Sequence, residues 1–164
     1  MKIMIDAHKS LVAVLATNNA RWRELSHVPE GRSEQIAQIR GHDNHMAAKA
    51  MVLSCRETKK TQKFYLAVVP GDCRVSLDRV KEHTGKRASL ASLDKVQQLT
   101  GCEPGAVPPF SFHEDLTLLV DPEVTAQPEI VFNAGRLDRS IFLDTQDYVR
   151  VTNPTVVKLT DDQA

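Results

Sequence analysis

The chain has 164 residues, with 21 basic and 21 acidic side chains that cancel to a formal charge of zero. That length suits one domain with a genuine core, spanning 1–164, and is short for two. Balanced charge excludes a strong overall field for nucleic acid, so such a partner would need a local patch and specific contacts. No apolar run approaches the roughly 20 residues that span a bilayer, and the opening "MKIMIDAHKS" meets polar residues too early for a secretory signal. A cytoplasmic protein with no membrane partner is expected. Cys55, Cys73 and Cys102 are odd in number and lack CxxC pairing, which argues for free thiols over a disulfide framework or zinc site.

Residues 6–19 are predicted to form a helix, with Leu11, Val12, Leu15 and Ala16 on one stripe and "TNN" as its stop. "RWRELSH" alternates and reads as a short strand. "PEGR" turns the chain, and Ser33 is the expected cap of a helix through Ile39, closed by Gly41. Strands are expected over 46–55 and 64–69, joined by the polar hairpin connection "RETKKTQK". "VSLDRVKEHTG" and "ASLDKVQQLTG" share Ser-Leu-Asp starts and Thr-Gly stops. Each is a predicted helix, with Ser76 or Ser92 as N-cap and Asp78 or Asp94 favourable in the first turn. Beyond a rigid loop, "GCEPGAVPPFSF", strands are expected over 116–120, 129–133 and 140–143, and a last helix from about Thr145. The fold class is α/β (α+β), with a mixed, mostly antiparallel sheet flanked by helices.

Within "HMAAKAMVLSC", Lys49 is a lone ammonium in an apolar run. On a strand, His45, Ala47, Lys49, Met51 and Leu53 share one face, and Met46, Ala48, Ala50 and Val52 the other. Both faces are largely apolar, so the strand is expected to be central, with Lys49 pointing into a packed layer or a cleft. An edge-strand lysine that discourages aggregation, or one that snorkels to water, is the alternative. In Gly101-Cys102-Glu103-Pro104-Gly105, glycines permit close backbone approach and proline stiffens the loop, so N–H groups could be aimed at a carbonyl or phosphate oxygen. The plainer reading is a helix stop followed by a tight turn; the Gly-Lys-Ser/Thr ending of a P-loop is missing. "FNAGR" ends a strand with an amide, so Asn133 either holds a polar substrate group or closes a turn. His42 and His45 have a spacing that could ligate metal on a helix but lack a supporting ligand set. His113 and Asp115 form either an acid–base pair or a surface pair, and no G-x-S-x-G elbow is present. Lys59, Lys60 and Lys63, with Lys81, Lys86 and Arg87, are solvated or, if arranged around a cleft, touch phosphates.

Taken together and in order, "IRGHDNHMAAKAMVL", "RASLASLDKVQQLTG", "GCEPGAVPPFSF", "LLVDP" and "IVFNAGRLDRSI" resemble the YbaK/ProX family of aminoacyl-tRNA deacylases. These are relatives of the editing domain of bacterial prolyl-tRNA synthetases. The likeness runs over about 27–152, and the central string and the FNAG segment look closest to the YeaK-like branch. The resemblance implies that fold and a free-standing, trans-acting factor. It would hydrolyse the ester between a small mischarged amino acid (the Ala, Ser, Thr, Cys class) and tRNA, with no metal or other cofactor. It implies Lys49, Gly101 and Gly105 as catalytic positions, with Lys49 near the terminal nucleotide. Substrate-binding positions are His45, Cys102, Glu103, Pro104, Asn133 and Gly135, the loop 101–105 surrounding the aminoacyl group. Asn133 falls where several relatives carry histidine. An activated ester attacked by a positioned water or the neighbouring ribose hydroxyl needs no protein nucleophile. The implied partner is the acceptor end of aminoacyl-tRNA, with a synthetase as a further one and DNA excluded. A non-catalytic tRNA- or synthetase-binding module of the same fold is the alternative, and a hydrolase using His113 and Asp115 is a third.

Overall fold

Asp6 accepts the Lys9 N–H and starts α1 (Ala7–Thr17), whose Leu11 and Leu15 are fully buried. The computed structural model describes residues 5–161. After α1 come β1 (Trp22–Ser26), α2 (Ser33–Arg40), a 3-10 turn at Asn44–Met46, β2 (Ala48–Arg56) and β3 (Gln62–Pro70). Next are α3 (Leu77–Thr84), β4 (Ala88–Leu90), α4 (Leu93–Thr100), β5 (Leu116–Val120) and α5 (Pro122–Thr125). The described chain closes with β6 (Glu129–Asn133), β7 (Arg139–Asp144), α6 (Thr145–Thr152) and β8 (Thr155–Val156). No helix among the described residues is long and apolar enough to cross a membrane.

The two Ser-Leu-Asp helices start and stop as their sequences predict. Ser76 and Ser92 accept the N–H groups of Arg79 and Lys95, and left-handed Gly85 and Gly101 close the ends. The start of α2 differs: Arg32 is the N-cap without a side-chain bond, and Ser33 is the first helical residue. The Glu30 carboxylate instead accepts the Gly31 and Arg32 N–H groups just upstream. The strand expected over 46–55 begins two residues later, because Asp43 accepts the His45 N–H and winds Asn44–Met46 into the 3-10 turn. His45 therefore does not share a strand face with Lys49.

The strands divide between two sheets. One is antiparallel, in the order β1-β7-β6; the other is mixed, in the order β4-β2-β3-β5-β8, with β3-β5 and β5-β8 parallel. Ala48, Ala50 and Val52 on one face of β2 enter the main core with Ile130 and Phe132 of β6 and Ile141 and Leu143 of β7. Leu53 and Cys55 join a second cluster with Val69, Val80 and Leu119. β2 is thus covered on both faces, as the apolar run predicts. Its edges are unequal. β3 pairs along all of β2, from Ala48 opposite Pro70 to Arg56 opposite Gln62, whereas β4 reaches only Leu53–Cys55. Beside the Ala48–Met51 half the edge is open, and β6 approaches it through an isolated bridge between Ala47 and Val131.

Candidate active site

The open edge of β2 forms one wall of a cavity of about 190 Å³ between the two sheets. The peptide direction there follows from two hydrogen bonds: the Ala47 carbonyl accepts from Gly71 on the β3 side, and the Val52 carbonyl accepts from Ala91 on the β4 side. Peptides alternate along a strand, so that of Ala50 faces away from β3, toward the gap. The opposite wall is Val131–Asn133 at the end of β6. Ser33, Ile36 and Arg40 of α2, at i, i+3 and i+7 on one helical face, form a third, and Pro104, Gly105 and Val107 close the fourth. Gly31 and Gly105 meet back to back: a Cβ on Gly105, whose φ is +87°, would lie 3.1 Å from the Gly31 Cα. Only glycine supplies that φ and that approach, and the contact fixes the loop against the segment leading into α2.

Lys49 is half-buried at this wall, and its ammonium donates to the Cys73 carbonyl at 2.5 Å. Burial pulls its pKa below the ordinary lysine value. Asn133 is 6% exposed and fully engaged. Its Nδ2 donates to the carbonyls of Glu30 (3.0 Å) and Gly105 (2.7 Å), while its Oδ1 accepts from the Arg40 Nη2 (2.7 Å) and the Ser140 hydroxyl (3.3 Å). A guanidinium only donates and carbonyls only accept, so the partners fix the amide orientation. Arg40 also donates from Nε to the Ser140 Oγ at 2.7 Å, and that hydroxyl shares a 2.6 Å hydrogen bond with the His27 Nε2. Burial draws the Arg40 pKa down to about 10, which leaves it charged at neutral pH. Among the described residues, no acidic side chain lines the cavity.

Lys49, Pro104, Gly105 and Asn133 thus come together at one cavity, and the other singled-out residues lie elsewhere. Gly101 and Gly135 border a separate depression beside Asp6, Ala7 and His8 at the start of α1. Gly101 has a φ of +71°, and a Cβ there would collide with the Ile5 carbonyl. The Cys102 thiol is buried against the Thr100 carbonyl, and burial pushes its pKa up to about 11. Glu103 is exposed, with its carbonyl accepting the Ala106 N–H. His45 pairs through Nδ1 with Asp72 at 2.7 Å. His45, Asp72 and Cys73 are the grouping among the described residues whose ligand atoms, all within 4.8 Å, could hold a metal ion. The Cys73 thiol is raised to about 11, chiefly by burial, so an ion would have to displace its proton. His113 accepts the Asp115 N–H and lies outside the cavity. A larger depression of about 560 Å³ beside α6, lined by residues such as Thr125, Asp144 and Val149, contains none of the candidate residues.

Arg40 and Ser140 carry no mark in the sequence, and Ser33 is expected there only as a helix cap. Arg40 looks like an ordinary cation complementing the C-terminal dipole of a short helix. The signal for it was the i, i+3, i+7 register of Ser33, Ile36 and Arg40 immediately before the Gly41 stop.

The model of the aminoacyl-tRNA editing domain matches residues 27–151. A multifunctional Ser/Thr-tRNA deacylase, ProXp-y, of Escherichia coli (strain K12) is 41% identical over 152 residues, covering 92% of this chain and 90% of that protein. The prolyl-tRNA editing protein ProX of Acetoanaerobium sticklandii is 27% identical over 137 residues, covering 83% of this chain and 77% of that protein. Among solved structures, a candidate trans-editing enzyme for prolyl-tRNA synthetase superposes with a TM-score of 0.81 at 20% identity, covering 98% of this chain and all of that one, a likeness of fold. On the extent of the family match and the 41% identity, the chain belongs to the aminoacyl-tRNA editing-domain family.

Proposed function

We propose that this chain is a trans-acting aminoacyl-tRNA deacylase, and that it hydrolyses the ester of a small mischarged amino acid in the cavity between Lys49, Asn133 and Pro104-Gly105. The observation that carries this reading is the convergence of those residues on one cavity in a chain of the editing-domain family. The chemistry asked of the protein is modest. An aminoacyl ester is activated, so holding the carbonyl beside an attacking water or the neighbouring ribose hydroxyl supplies much of the rate. Lys49 has N–H groups left beyond its bond to Cys73 and meets the anionic backbone of the terminal nucleotide. Ala47, Ala48 and Ala50 leave space for that nucleotide, while Ile36, Val107 and Val131 limit the acyl side chain. Such a volume excludes large side chains sterically, but one methylene more or less changes the rate by only about 10- to 200-fold. Serine and threonine, named for the Escherichia coli relative, are the acyl groups expected first. A synthetase that releases mischarged tRNA is the partner from which the substrate comes.

A panel of tRNAs charged with Ala, Ser, Thr, Cys and a bulky residue tests the reading. Release of small amino acids with the bulky ester spared is expected, and Lys49→Ala should weaken it mainly through KM. No release from any member, or tRNA binding without turnover, would sink the enzymatic reading in favour of a binding module.

A further inference from the structure

Arg40 is mostly withdrawn from water, and among the described residues its guanidinium has no carboxylate partner. Its two hydrogen bonds go to neutral oxygens, Ser140 Oγ and Asn133 Oδ1, which hold it from one side. Among the described residues, the cavity before it is lined by one other cation, Lys49, and no acidic side chain. A cation withdrawn from water without a counter-charge is unfavourable until negative charge reaches it. The acyl end of an aminoacyl ester has one atom that becomes negative during hydrolysis, the carbonyl oxygen. Its α-amino group carries the opposite sign.

The Asn133 amide and the head of the Gly-Pro loop offer no free donor, which leaves Arg40 together with the remaining Lys49 N–H groups and the Ala50 peptide at the β2 edge. Both Nδ2 hydrogens of Asn133 go to the Glu30 and Gly105 carbonyls. In the Gly-Pro loop, the Gly101 N–H is given to the Gln97 carbonyl and the Cys102 N–H to the Thr100 hydroxyl. The head of that loop, facing the depression beside α1, is therefore closed as an oxyanion hole. We propose that Arg40 is a catalytic residue that receives the ester carbonyl oxygen, donating its unused N–H groups as that oxygen becomes an oxyanion. The attacking water oxygen bonds to the carbonyl carbon, and the C=O π pair moves onto the oxygen facing Arg40. When that pair returns, the bond to the ribose oxygen breaks, and the proton lost by the water ends on the ribose. Free amino acid and tRNA with an intact hydroxyl result. Arg40 changes neither charge nor covalent state, and Asn133 with Ser140 serves to aim it.

The assignment rests on the deacylase reading, and its test separates the two. Single-turnover deacylation of a mischarged seryl-tRNA is measured for wild type, Arg40→Gln and Arg40→Lys. Thermal melting is recorded alongside, with calorimetric binding of two adenosine-linked ligands, a planar seryl amide and a tetrahedral anionic phosphonate. For Arg40→Gln we expect kcat to fall about 10²-fold or more with KM within about threefold, as for loss of an oxyanion donor. Arg40→Lys should fall between. Phosphonate affinity should drop while amide affinity holds, and the melting temperature should stay or rise, because a buried unpaired charge has been removed. A rise in KM with kcat unchanged would reassign Arg40 to a tRNA phosphate. Unchanged activity, or a shared loss of activity and melting temperature in both variants, would overturn the proposal. If wild type releases nothing, the deacylase reading falls, and the phosphonate-over-amide preference with its dependence on Arg40 still decides the residue's role.

Discussion

At the scale of single residues, Asn133 explains why a polar side chain ends β6. Four hydrogen bonds leave none of its amide capacity over, so it ties together segments distant in sequence: the turn before α2, the Gly-Pro loop, Arg40 at the end of α2, and β7. Those bonds make it part of the framework that shapes the cavity wall. Asn133→Ala strands two carbonyls and removes one of the two acceptors of Arg40. It should destabilise the fold by about 2–4 kcal/mol, since each buried group left unpaired costs about 1–3 kcal/mol. Asn133→His should lose less, because a neutral imidazole has one donor and one acceptor and keeps at most two of the four bonds. Urea unfolding of the three proteins ranks them, and equal stability of Asn133→Ala and wild type would refute the tie.

At the scale of elements, the ends of helices carry much of the connectivity. Asp144 caps α6 by accepting the Asp147 N–H, and Asp147 in turn accepts the Arg21 backbone N–H at 2.8 Å and its Nε at 3.0 Å. Arg21 holds the Asp147 pKa down to about 2. A carboxylate depressed on folding contributes stability that is complete above its unfolded value and lost as pH falls through the folded one. The window here therefore runs from about pH 4 down to about 2, and Glu30, lowered to about 2 mainly by Arg32, acts with the same sign. Asp147→Asn should flatten part of the stability decline across that window, measured by denaturant unfolding at stepped pH. An unchanged slope would show that the Arg21 contact adds nothing. Helix ends were also the most legible feature of the sequence, because Ser76, Ser92, Gly85 and Gly101 act through bonds to residues three or four positions away. The three-residue β4 and two-residue β8 carry no period to detect, and their pairing depends on partners far along the chain. The division into two sheets was hidden for the same reason. Lys49 and Asn133 stand out locally, as a charge in an apolar run and an amide at a strand end. Arg40 does not, because its lack of a counter-ion among the described residues is a property of what surrounds it in space.

At the scale of the whole molecule, neutral net charge has to be reconciled with a polyanionic substrate, and the placement of cations along β2 and β3 does so. Lys49 lies opposite Val69 near one end of that ladder, whereas Lys63 lies opposite Cys55 near the other, six positions away, or about 20 Å at strand rise. β4 pairs Ala88 with Cys55 as well, which brings Lys86 and Arg87 to the same end, beside the turn holding Lys59 and Lys60. Lys59, Lys60, Lys63, Lys86 and Arg87 are all exposed. With its 3′ end in the cavity, a duplex arm lying along the sheet would meet this basic end, and that arrangement sets the prediction. Phosphate contacts made there release counter-ions, and each should steepen the fall of log affinity with log salt by about 0.7–0.9. Lys59→Ala, Lys60→Ala and Lys63→Ala combined should therefore lower the salt slope of tRNA binding by about 1–2, given that exposed lysines make partial contacts. kcat on bound substrate should stay unchanged, because none of the three lines the cavity. Binding titrations from low to moderate salt check this. An unaltered slope would mean that only the acceptor terminus touches the protein, and Lys49→Ala would then account for whatever salt dependence wild type has.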